Sequence, residues 1–110
     1  MEGVHFDRES VLSRLKVATR ESEAFATPQQ RLRFAMVILE PMRWERVDLP
    51  HSQREALLLL FEGVTGTGWY SRDTPPRDPL TLPDEEASRL WEGLLALVAE
   101  VESDIEKETH

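Results

Sequence analysis

TLPDEEASRLWEGLLALVAEVESDIEK, residues 81–107, decides the fold. Ala87, Trp91, Leu94, Val98, Val101 and Ile105 recur at spacings of 4, 3, 4, 3 and 4, which is one face of a helix. Leu90, Leu95 and Leu97 widen that face until it touches more than one neighbour. Thr81, Pro83 and the acids Asp84, Glu85 and Glu86 form a helix start. Six seam residues at roughly 1.5–3 kcal/mol each give on the order of 10 kcal/mol of burial. Ordering about 24 residues at about 1–2 kcal/mol each costs more. The segment therefore has to pack on other helices, and a second copy of the chain is a candidate for part of that cover.

Working back from there, three more segments have helical spacing: 8–25, 28–46 and 49–65, with the last helix at 83–107. The first opens at Asp7, with Phe6 and Val11 placed for a hydrophobic staple, and continues through Leu15, Ala18, Ser22 and Phe25. The second opens at Thr27 with Pro28 at its first helical position and Gln30 as capping-box partner. Its run Phe34 to Leu39 is apolar on every side, which predicts a helix buried on most faces. Pro41 either ends this helix or kinks it; Met42 and Trp44 favour the kink. The third opens at Asp48-Leu49-Pro50, or at Ser52 with Glu55 as its partner. The expected fold is all-α, a single helical domain over 1–110. It is a four-helix bundle with a long Pro-rich loop, Gly66 to Leu82, between helices three and four. That loop either spans the bundle end or crosses it so that helix four runs parallel to helix three.

Composition narrows the classes of function. The 110 residues contain no cysteine, which excludes disulfides and thiolate metal sites. No apolar run approaches the ~20 residues of a membrane span, and residues 1–5 lack the pattern of a leader. The expectation is a cytoplasmic protein that engages no membrane. The net charge of −8 is lopsided: residues 1–54 carry 9 basic and 8 acidic side chains, residues 55–110 carry 4 and 13. The second half should repel nucleic acid and attract a basic protein.

No stretch has the spacing of a catalytic or metal signature. Gly63 to Gly68 follows a helix, where carbonyls collect, so its glycines read as a C-cap and not a phosphate loop. His51 and Glu55 stand four apart with Asp48 nearby, but nothing completes a metal set. Glu40, Glu45, Glu55 and Glu62 lack the Glu-x-x-His spacing of di-metal bundles and read as partners of nearby arginines. No cofactor is expected. Trp69-Tyr70-Ser71-Arg72 on the long loop combines residue types enriched at binding hot spots. Glu100, Glu102, Asp104, Glu106 and Glu108 stand at the end of helix four where the dipole disfavours acids. They point either to a basic partner or to basic residues on helices one and two. Gly93 inside helix four implies a close contact there.

These features predict a non-catalytic protein-interaction or regulatory module, one form being an inhibitor of a basic partner. The partner-binding residues are Trp69, Tyr70, Arg72, Glu100 and Glu106, with homodimerisation through helix four as an accompanying expectation. The alternative is a small enzyme or ligand binder with a pocket between helices two and three, lined by Trp44, Glu40 and Glu55. A nucleic-acid reading ranks third and requires Arg31, Arg33, Arg43, Arg46 and Arg54 to form one patch.

Overall fold

A computed structural model describes residues 5–43, 46–66 and 77–108. The chain is all-α with four helices: α1 Arg8–Ser22, α2 Pro28–Leu39, α3 His51–Thr65 and α4 Asp84–Glu108. Short 3-10 turns follow α2 (Glu40–Arg43) and precede α4 (Pro79–Thr81). One feature departs from a pure helical reading. Residues His5–Phe6 (β1) pair in parallel with Arg46–Val47 (β2), in the register Phe6 to Val47. This two-residue ladder ties the approach to α1 to the connection before α3, and Phe6 and Val47 are both buried.

The helix starts follow local chemistry. Asp7 Oδ1 accepts from the backbone N–H of Ser10 at 2.8 Å, and Thr27 Oγ1 accepts from that of Gln30 at 3.2 Å. α3 begins differently. Its N-cap is Pro50, which ends the expected Asp48-Leu49-Pro50 opening, but no side chain makes a cap bond, and Ser52 lies inside the helix and does not start it. Glu55 instead meets His51 Nε2 at 3.3 Å, on the surface.

Two helix ends differ from expectation. α1 stops at Ser22, because the chain must reach extended backbone at Thr27 (φ −115°) to cap α2. Phe25 therefore leaves the α1 stripe and is 36% exposed. Pro41 ends α2 as an α-helix and does not kink it. Lacking an N–H for Val37, it stands in the tighter 3-10 turn Glu40–Arg43. Nor is α2 buried on most faces, since Val37 is 66% exposed. At the end of α3, Gly66 adopts φ +73° and donates its N–H to the Glu62 carbonyl, which is the expected C-cap.

α4 is the organising element and packs against all three other helices, whereas α1 and α3 meet mainly through it. It runs antiparallel to α1, as the ion pairs Arg8–Glu108 and Lys16–Glu102 show. It also runs antiparallel to α3, so the loop does not create a parallel pair. Ala87, Trp91, Leu94, Leu97 and Val101 are buried, and Leu90, Val98 and Ile105 pack against the same core. The wide apolar face is thus covered largely within one chain.

The α3–α4 contact rests on a four-residue pattern that occurs once in each helix: Leu60-Phe61-Glu62-Gly63 and Leu90-Trp91-Glu92-Gly93. A Cβ on Gly63 would stand 2.7 Å from Leu90 Cδ2, and one on Gly93 would stand 3.4 Å from Leu60 Cδ2. Each leucine thus fills the space above the other helix's glycine. The adjacent Phe61 and Trp91 are buried. This is the close contact that Gly93 implied, made by Leu60.

Candidate functional site

Val17, Leu59 and Leu95 are exposed on the other helices, whereas around the second face of α2 the exposed apolar side chains Phe25, Val37 and Leu80 come together in one place. Gln29, Leu32, Ala35, Met36 and Leu39 face the core. Gln30, Arg33, Phe34 and Val37, at i, i+3, i+4 and i+7, line an open groove together with Phe25 and Leu80. The Phe25 and Phe34 rings lie 5.1 Å apart and tilted by 41°. The groove holds about 280 Å³, slightly below the ~300 Å³ lower bound of small-molecule pockets. Its openness suits side chains projecting from a docked segment better than an enclosed ligand.

Both flanking walls are fixed by hydrogen bonds. On one side, the Phe25 N–H donates to the Ser22 carbonyl at 3.0 Å. The Phe25 carbonyl accepts from Arg31 Nε at 2.9 Å, and the Arg31 guanidinium lies 5.8 Å over the Trp91 ring. On the other side, Asp78 Oδ1 accepts from the Leu80 N–H at 3.0 Å. Buried Gln29 donates its amide to the Leu82 carbonyl at 3.0 Å and to Asp84 Oδ1 at 2.6 Å. The long loop returns to its origin: the Arg77 N–H donates to the Thr65 carbonyl at 2.6 Å. The Arg77 guanidinium donates to the Gly63 carbonyl, among the free carbonyls of the α3 end. Leu80 is thereby held beside α2 while 42% exposed.

Arg33 is the charged side chain among the groove's lining residues. Pro28–Leu39 holds Arg31 and Arg33 and no acid. Among the described residues neither the Arg33 guanidinium nor the Gln30 amide has a hydrogen-bond or ionic partner. Arg31 is committed to Phe25, which leaves Arg33 as the cation available at the rim.

Of the residues singled out from the sequence, Trp69, Tyr70 and Arg72 lie outside the described residues, as does Trp44. Glu100 and Glu106 are exposed on α4 and do not line the groove. Glu100 Oε1 accepts from Gln53 Nε2 at 3.4 Å, and Asp104 Oδ2 accepts from the same nitrogen at 2.6 Å. Glu102 pairs with Lys16, and Glu108 pairs with Arg8 at 2.7 Å. The hydrogen bond that Arg8 donates to the Glu108 carboxylate, reinforced by the charge of that carboxylate, raises the pKa of Arg8. Much of the acid at the wrong end of the α4 dipole is therefore met by helix one and by Gln53. Glu40 and Glu55, which the alternative reading places at a pocket between α2 and α3, are both exposed. Among the described residues no group of three or more His, Asp or Glu side chains is placed to hold a metal ion. No described helix is long and apolar enough to cross a membrane.

The groove itself was not anticipated. Its signal was present in Phe34 and Val37, which share a helix face with Gln30 and Arg33. A run apolar on every side conceals which of its faces the fold leaves open.

No protein-family model matches the chain, and no curated protein or solved structure matches it either.

Proposed function

We propose that this chain is a protein-interaction module that docks a segment of another protein in the α2 groove. One observation carries the reading: Phe25, Phe34, Val37 and Leu80 cluster as an apolar surface around one groove whose walls are held by hydrogen bonds. Apolar side chains gathered around one groove suit a docking site better than the same side chains scattered singly would. Trp69, Tyr70 and Arg72 enter the proposal on sequence grounds, because the loop that carries them also supplies Leu80. The narrower idea of an inhibitor of a basic partner draws less support, since Glu100, Glu102, Asp104 and Glu108 already have partners within the chain. Self-association through α4 draws less support too, because its apolar face is largely occupied.

The test is affinity capture with wild type, Val37→Glu and Leu80→Glu, each first shown to be folded by circular dichroism. The proposal expects one or more proteins held by wild type and released by both variants. An identical captured set for all three would overturn it.

A further inference from the structure

We infer that the occupant of the α2 groove is an amphipathic α-helix with acidic residues beside its apolar stripe; this rests on the interaction reading above. The floor of the groove is itself a helix face, with no sheet edge to which a strand could add. Recognition through a helical floor uses anchors at i, i+3 or i+4, and i+7. From Gln30 to Val37 the floor covers eight residues, or about 10 Å at 1.5 Å per step between them, which matches two turns of a partner helix. The Phe25–Phe34 pair and Leu80 line the same groove as this floor, which leaves room for two or three apolar anchors.

The charge follows from the rim. Arg33 is exposed and without a partner among the described residues, and α2 contains no acid to compete for it. Gln30, one turn earlier on the same face, offers an amide that can donate to a carboxylate. Asp78, the nearest acid in sequence to Leu80, has one oxygen occupied by the Leu80 N–H. The overall charge of −8 opposes an acidic partner at long range, but salt screens exposed charges beyond about 8 Å. The contact at Arg33 then sets the preference, acting on selectivity and association rate more than on total affinity.

The experiment selects a displayed library of unconstrained, fully randomised 16-residue peptides against the full chain, and circular dichroism reports the conformation of the winners. The expected winners have Leu, Phe or Trp at i, i+3 or i+4, and i+7, with Asp or Glu flanking, and lose binding to Val37→Glu and to Leu80→Glu. Arg33→Glu should weaken these winners about three- to ten-fold and, in a fresh selection, favour Lys or Arg flanks. Winners that need Val37 but carry neutral or basic flanks and ignore Arg33→Glu would sink the charge inference and leave the interaction reading standing. Winners that are Pro-rich or extended would sink the helical form. If no winner depends on Val37 or Leu80, the inference falls together with the groove.

Discussion

Leu90 occupies the space a side chain on Gly63 would need, with its Cδ2 only 2.7 Å from where that Cβ would stand. The reciprocal pair, Leu60 over Gly93, leaves an ordinary 3.4 Å. The two glycines should therefore respond oppositely. Gly63→Val should lower stability by about 1–3 kcal/mol through overpacking. Gly93→Ala, in the middle of α4, should raise it by roughly 0.5–1 kcal/mol through helix propensity. Urea unfolding of both variants checks the pair, and equal effects would contradict the packing described.

Gln53 is only 2% exposed and donates its amide to two carboxylates, so its being a neutral donor matters more than its shape. Gln53→Glu would set a third carboxylate against Glu100 and Asp104. It should destabilise the fold at neutral pH by about 3–5 kcal/mol. The folded state then favours the protonated form of the new side chain, so its pKa rises on folding. The loss should be greatest at neutral pH and shrink as pH falls. Thermal melts of the variant and wild type across acidic to neutral pH test the sign. Gln53→Leu should lack this pH dependence.

Gln29 fixes the far wall of the groove by holding the Leu82 carbonyl and Asp84. Gln29→Ala should cost about 1–3 kcal/mol, because a buried carbonyl loses its donor. Hydrogen exchange should show earlier loss of protection at Leu80 and Thr81 than in α1.

Val37 has no structural duty that matches its size, since two-thirds of it is exposed. Val37→Ser should change stability by less than about 0.5 kcal/mol, while capture of the proposed partner falls. A large drop in melting temperature would mean that the residue is needed for the fold.

Trp69→Ala combined with Arg72→Ala separates two roles for the loop. A binding role predicts loss of partner affinity by about ten-fold or more, with the melting temperature unchanged. A covering role predicts a fall of several degrees with no specific effect on binding.

The helices were legible because their signals are local. Asp7, Thr27 and Pro28 announce starts through hydrogen bonds that close within three residues, and the α4 spacing needs no knowledge of neighbours. Pro41 was harder, because a missing N–H permits either a bend or a stop, and packing around Met42 and Val47 settles which. The parallel pairing of Phe6 with Val47 joins segments about forty residues apart and has no local mark. The groove escaped for a related reason. Whether Phe34 and Val37 face protein or water depends on where α4 lies, and only the assembled fold sets that.

The central place of α4 also governs how the chain is made. Synthesis delivers α1, α2 and α3 first, each with an oily side awaiting residues 84–108. Until the ribosome adds that stretch, the nascent polypeptide is a natural client for chaperones. A stop codon ahead of Asp84 should leave an aggregating fragment instead of a smaller working protein.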